Sequence, residues 1–289
     1  MVSGNEYIVE LALTDGSIWN IVAADGRAYA VVSALAKAMH LESVVKNVES
    51  KSRYSTPRRL IVHVEDQKRD SVQLTTTAHL TFLDQDTICA VISDESHEMR
   101  ISQLMHLSLI ICRDAQYRGG VLLHGALAGW NGNGVILAGP GGRGKTTASR
   151  RLPRNWQSFC DDTTLVVCDN KGAYWAHPWP TWSTFAFNGP GGTWNVQHAV
   201  PLKGIFFLEQ EQKDKFKPLG IAQSICLLNE SAEQASWPMP GHSEKNVLRK
   251  LRLQRFDNIC ALAKKVSSYV LRMGVDGAFW KEIEKALNG

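Results

Sequence analysis

Residues 139 to 147 read Gly139-Pro140-Gly141-Gly142-Arg143-Gly144-Lys145-Thr146-Thr147. The spacing is G-x-x-x-x-G-K-T, a pattern suited to a polyphosphate. A triphosphate needs many donors in a small arc. Glycines let the backbone curl so that several N–H groups face inward, and a following helix adds its positive end. Lys145 can reach the β- and γ-phosphates, and the Thr146 hydroxyl can ligate Mg²⁺. A second chemical feature is Asp161-Asp162, which follows Thr146 by 15 and 16 residues. Adjacent acids are costly to bury unless a cation or proton offsets them. The intervening length suits one helix and a returning strand, which would bring the pair back beside the glycine loop. One carboxylate could then hold Mg²⁺, and the other could accept a proton from an attacking hydroxyl. His124 lies 15 residues before Gly139. On a strand beside the loop it could contact the transferred phosphate or the acceptor; a lone strand histidine is more often a satisfied core residue.

The elements that must position these groups are legible around them. Gly134 to Ala138 is an apolar run suited to a buried strand, and Thr146 to Leu152 can open a helix before Pro153 stops it. Val121 to Leu127 and Trp156 to Cys160 read as strands, with a tight turn over Trp130-Asn131-Gly132-Asn133. Thr163 to Cys168 and Ala173 to Ala176 form a hairpin across Asp169 to Gly172. Ile205 to Glu209 is a buried strand, Ser243 to Lys265 a helix, Ser268 to Met273 a strand and Phe279 to Leu287 a last helix. Upstream, residues 6 to 22 read as a hairpin broken at Asp15-Gly16, Ala28 to Leu41 as a helix and Glu42 to Arg59 as a loop. Leu60 to Val64, Val72 to Thr75 and Thr87 to Ser93 read as strands. His97 to Tyr117 carries apolar residues at helical spacing and ends at Gly119-Gly120. The expected fold is mixed α/β: an N-terminal α+β portion over residues 1–100 and a nucleotide-binding core over residues 101–289.

Two further groups of residues stand out. Trp175, Trp179, Trp182 and Trp194 interleave with Pro178, Pro180 and His177. Rigid aromatic loops make platforms for a peptide or a base, so His177, Trp179 and Trp182 are candidate substrate contacts. The competing reading is a satellite core packed on the sheet. Lys245, Arg249, Arg252 and Arg255 recur at steps of three and four on one helix face; they could grip an acidic peptide or the nucleotide, or simply be solvated.

Composition sets outer limits. The chain of 289 residues is 44% apolar and 21% charged, ordinary for a globular protein. Its net charge of +4 is too weak to argue for nucleic acid. The six cysteines form no C-x-x-C and no zinc spacing, so reduced thiols are expected. Met1 to Glu6 lacks a signal-peptide pattern, and the most apolar helix candidate, Leu104 to Cys112, is too short to span a bilayer. A cytoplasmic protein without membrane or nucleic-acid partners is expected.

Taken together, "LLHGALAGWNGNGVILAGPGGRGKTTASRRL" followed by "FCDD" resembles the C-terminal kinase domain of HPr kinase/phosphorylase, which shares its fold with phosphoenolpyruvate carboxykinase. With Ala176 to Ser183 and Val200 to Gln210, the chain is similar to the ScmC-type HPr kinase-like proteins of SynChlorMet cassettes. The resemblance implies an ATP- and Mg²⁺-dependent kinase. Gly139 to Thr147 would bind the phosphates, Lys145 would stabilise the transferring charge, and Thr146 and Asp162 would hold Mg²⁺. Asp161 matches the general base and His124 a histidine near the reacting phosphate. In such cassettes these proteins accompany radical-SAM enzymes and small peptides, so a Ser or Thr of a precursor peptide is the leading acceptor. Free serine or a similar small molecule competes with it, as does a nucleotide-hydrolysing switch in a peptide-modifying complex. Homo-oligomers occur among HPr kinases. The resemblance stops at Asn188 to Gly192, where those kinases carry a glutamate-bearing signature; it does not extend to phosphorolysis or to HPr as substrate.

Overall fold

A computed structural model describes residues 7–43, 57–65, 78–83, 86–93, 96–186, 192–236 and 245–288. The expected strand over Val72 to Thr75 lies outside them, as does most of the Glu42 to Arg59 loop.

The chain opens with the hairpin β1 (Tyr7–Ala12) and β2 (Ile18–Ala23). Gly16 turns it at φ 83°, a conformation that suits a residue without a Cβ. Helix α1 (Gly26–Met39) starts where the Asp25 side chain accepts from the N–H groups of Arg27 and Ala28, and it buries an Ala/Val/Leu stripe. Strands β3 (Arg58–Glu65), β4 (Ala78–Leu83) and β5 (Asp86–Ile92) complete a five-stranded sheet in the order β1-β2-β3-β5-β4.

Helix α2 (His97–Tyr117) is capped by Ser96. After it the chain builds a second sheet of eight strands. These are β6 (Val121–Trp130), β7 (Asn133–Ala138), β8 (Trp156–Cys160), β9 (Thr163–Cys168), β10 (Tyr174–Trp179), β11 (Val200–Gln210), β12 (Lys215–Pro218) and β13 (Ser267–Met273). Helices α3 (Lys145–Arg150) and α4 (Trp182–Ala186) lie between these strands; α5 (Ile221–Ala235) and α6 (Lys245–Lys265) precede β13, and α7 (Phe279–Asn288) follows it. The order is β10-β9-β6-β7-β11-β13-β12, with β8 on β6 and a short pairing of β10 with β11. The last contact closes β10-β9-β6-β7-β11 into a partial barrel. Strands β7, β11 and β13 run parallel, while β6, β8 and β9 are antiparallel to their neighbours. The fold is thus mixed α/β.

One apolar cluster joins β1, β2, α1 and α2 to Leu165, Val167, Trp179 and Val196 of the second sheet and its loops. The Nε of Arg118, at the end of α2, donates to Asp15 of the first hairpin at 2.8 Å, and Arg118 also pairs with Asp114. The first sheet and α1 therefore pack as one layer on the second sheet. No helix among the described residues is long and apolar enough to cross a membrane.

Candidate active site

The site is organised by the middle of β6. One edge of β6 pairs first with β9, ending at His124 opposite Thr163, and then with β8, starting at Leu127 opposite Cys160. The pairs that bound the gap share one register, and the β6–β8 pairing shifts only after Leu127. Asp161 and Asp162 occupy the interruption, across from Ala126 and Gly125. On the other edge Gly125 pairs with Ala138, the last residue of β7 before the glycine loop. Loop and aspartates thus flank the same two residues of β6. Gly125 allows this closeness: a Cβ there would stand 2.5 Å from Ile136 Cγ2.

His124 and Asp162 meet at this point, with Lys145 within electrostatic reach of both. His124 Nδ1 lies 3.6 Å from Asp162 Oδ1. Burial lowers the His124 pKa; Asp162 pulls it up and Lys145 pushes it down. Burial also lowers the pKa of Lys145, and Asp162 opposes that. The β6 register and the His124–Asp162 contact set the aspartate pair beside the strand that leads into the glycine loop. The Lys145 ammonium donates to the carbonyls of Gly139 at 2.7 Å and Pro140 at 3.2 Å. Asp162 accepts from the Thr163 hydroxyl at 3.2 Å, and the His124 carbonyl accepts from Ser231 of α5 at 3.2 Å.

Asp161 faces a different partner. Its Oδ1 accepts from the Thr181 hydroxyl at 2.7 Å, and the Trp194 indole N–H donates to that hydroxyl at 3.1 Å. Thr181 has one hydroxyl proton, so accepting from Trp194 leaves that proton for Asp161. Thr181 is buried, and its N–H donates to Gly192 at 2.9 Å. The backbone N–H of Trp194 donates to the Ala38 carbonyl at 3.1 Å and that of Val196 to the Met39 carbonyl at 3.2 Å. The end of α1 therefore pins the loop that holds the hydroxyl against Asp161.

Gly142 and Gly144 adopt φ 79° and 95°, the left-handed region. A Cβ placed on Gly141, Gly142 or Gly144 would meet nothing within 4 Å, so the loop wraps open space. Helix α3 holds only six residues, and its dipole adds less than the loop N–H groups and Lys145. Arg151 closes α3 by donating to Gly274 at 3.1 Å and Gly277 at 2.5 Å, with its guanidinium over Phe279. Its donors are committed to the fold. Among the described residues no three or more His, Cys, Asp and Glu are arranged to hold a metal ion by themselves. Mg²⁺ commonly takes one or two protein oxygens and completes its shell with phosphates and water. Thr146, in the first turn of α3, and Asp162, beside His124, are oxygen donors of the type that requirement calls for.

His177 and Trp179 lie in the core. The His177 Nδ1–H donates to Val196 at 2.7 Å while Nε2 accepts from the Thr14 N–H at 3.3 Å, so both ring nitrogens bind the fold. Trp179 is 1% exposed, and Trp182 is half-buried against the same core. These three side chains are not gathered with Lys145, His124 and Asp162. The indole that does reach the site is Trp194. Thr181 had no sequence signal beyond its place in the Trp/Pro run.

A family model described as SynChlorMet cassette protein ScmC matches residues 87–288. The chain belongs to the ScmC family. In this ScmC-family chain the match begins within β5 and takes in His124, the glycine loop, both aspartates, Thr181, Trp194 and α6. Among curated proteins none matches the chain. Chemically, the site offers an open loop of N–H donors, an ammonium, a hard-oxygen pair and one acid oriented by a buried hydroxyl.

Proposed function

We propose that the chain is an ATP- and Mg²⁺-dependent kinase with an HPr kinase/phosphoenolpyruvate carboxykinase-like core. It transfers the γ-phosphoryl group to a Ser or Thr hydroxyl of a peptide or protein, with a ribosomally made precursor peptide as the leading acceptor. The observation that supports this reading is the β6 register, which brings Asp161-Asp162 back beside the strand leading into the glycine loop, with His124 Nδ1 3.6 Å from Asp162 Oδ1.

The loop from Gly139 to Thr147 holds the phosphates through its backbone N–H groups. Lys145 exchanges its loop carbonyls for phosphoryl oxygens and neutralises charge as it develops. Thr146 and Asp162 would hold Mg²⁺, which shields the negative charge of the phosphates. Asp161 accepts the acceptor's hydroxyl proton on Oδ2, the oxygen opposite the one bonded to Thr181. His124, whose pKa burial and Lys145 lower, keeps its Nδ1 side toward Asp162 and leaves its other ring nitrogen to contact the transferring group.

The test is incubation with γ-labelled ATP and a candidate peptide. Label on the peptide supports the kinase, label on free serine a small-molecule kinase, and free phosphate alone a nucleotide-driven switch. Asp161→Asn should keep nucleotide affinity and lower transfer by about 10²-fold or more. Normal turnover by Asp161→Asn would remove Asp161 from the role of base.

A further inference from the structure

Helix α6 concentrates the positive charge of the molecule. It holds seven of the 32 Lys and Arg residues of the chain against one acid, Asp257, which leaves the remainder slightly acidic. Its exposed side also carries Leu248, Leu253 and Phe256, which are 40%, 55% and 46% exposed. These are three of the seven large apolar side chains exposed among the described residues. They are not scattered: with Arg249, Arg252 and Arg255 they line one groove of about 410 Å³ whose other wall is Asn229 and Glu233 of α5.

The groove is short of negative charge. Arg255 donates to Glu233 at 3.0 Å. Burial lowers the pKa of Arg255; Glu233 opposes this, but Arg252 adds to it by repulsion. The Arg255 Nε is buried without a partner among the described residues. No carboxylate among the described residues pairs with Arg249 or Arg252. Guanidinium groups fit carboxylates as two-toothed donors. A helix that lies on a membrane separates its cationic face from its apolar face. Here both kinds of side chain line the same concave groove, so each arginine has an apolar neighbour within the recess. That arrangement complements a chain in which acids alternate with large apolar residues.

We propose that the α5–α6 groove docks an acidic peptide segment whose Asp or Glu residues alternate with Leu- or Phe-sized ones. Helix α5 links the groove to the chemistry, because Ser231 of the same helix bonds the His124 carbonyl. The docked segment is the carrier part of the peptide acceptor. That assignment rests on the kinase reading; the docking itself does not.

The test uses fluorescein-labelled short peptides alternating Glu with Leu and Phe, and controls with Lys in place of Glu, in fluorescence anisotropy without nucleotide. Acidic peptides should bind and lysine peptides should not. Arg249→Glu with Arg252→Glu, both at exposed positions, should weaken binding at least about tenfold while Mg·ATP affinity stays at the wild-type value. Leu253→Ser should weaken it several-fold at unchanged salt dependence. Equal binding by the double variant overturns the proposal. So does an absence of peptide binding, or flotation with phosphatidylserine vesicles by a protein that ignores the peptides. If the peptides bind as described but ATP never labels any acceptor, the kinase reading fails and the docking groove stands.

Discussion

Asp161 and Asp162 are adjacent in sequence but differently placed. Asp162 lies beside the His124 imidazole, whereas Asp161 is held by a hydroxyl whose own orientation is set by an indole N–H. A base needs one oxygen kept in place so that the other meets the substrate. In the base role proposed for Asp161, Thr181 supplies that constraint, so its removal should affect turnover more than binding. Thr181→Val keeps the shape and loses the donor; we expect kcat to fall about ten- to a hundredfold with nucleotide affinity unchanged. Thr181→Ser should recover most of the rate. A parallel loss of nucleotide affinity, or no recovery with serine, would reduce Thr181 to a packing residue.

At the scale of elements, β6 is the part that cannot be altered cheaply. It touches β7, β8 and β9, and Gly125 sits where the glycine loop and the aspartates approach each other. A methyl at Gly125 would face the stiff β-branched Ile136 at 2.5 Å and the Leu137 carbonyl at 3.2 Å. Gly125→Ala should therefore cost about 1–3 kcal/mol in urea unfolding, and it should weaken nucleotide binding because β7 carries the loop. Much of this framework is legible in the sequence. Helix α2 has the expected bounds because its apolar spacing and the Gly119-Gly120 stop are both local signals. Helix α5, β12 and α4 carry weaker ones. Helix α5 does carry an apolar period, with Leu228 and Ala232 in one core cluster and Ile225 packed against it, but its N-cap is Gly220 without a side-chain bond, so its start leaves little signal. The glycine loop and the aspartate pair are contiguous motifs. The bond from Thr181 to Asp161 spans 20 residues of chain and leaves no motif. The Trp/Pro run shows the same limit: pattern alone does not separate Trp179, which fills the core, from Trp194, which donates into the site.

Across the whole molecule, the layer formed by the first sheet, α1 and α2 stabilises the second sheet and also holds the Trp194 loop. That layer has an acid-sensitive point. His106 of α2 is buried, and its Nε2 has no partner among the described residues. Burial lowers its pKa from 6.5 to about 4. The unfolded chain therefore takes up the proton first, and stability falls as pH drops from about 6.5 to about 4. The lowered values of His177 and His124 act in the same direction. For His106 alone the loss is on the order of 3 kcal/mol. Urea unfolding at several pH values should show a flatter acid slope for His106→Leu than for the native chain, and equal slopes would rule His106 out as the cause. The central claim concerns the cluster at β6: Asp162 and the glycine loop act as one Mg-nucleotide site. Titration calorimetry of ATP with and without Mg²⁺ tests it most directly, in the native chain and in Asp162→Asn. The native chain should bind ATP more tightly when Mg²⁺ is present, and Asp162→Asn should lose that increment while binding free ATP at least as well. An Asp162→Asn protein that keeps the full Mg²⁺ increment, or a native chain that binds no nucleotide, would contradict the account.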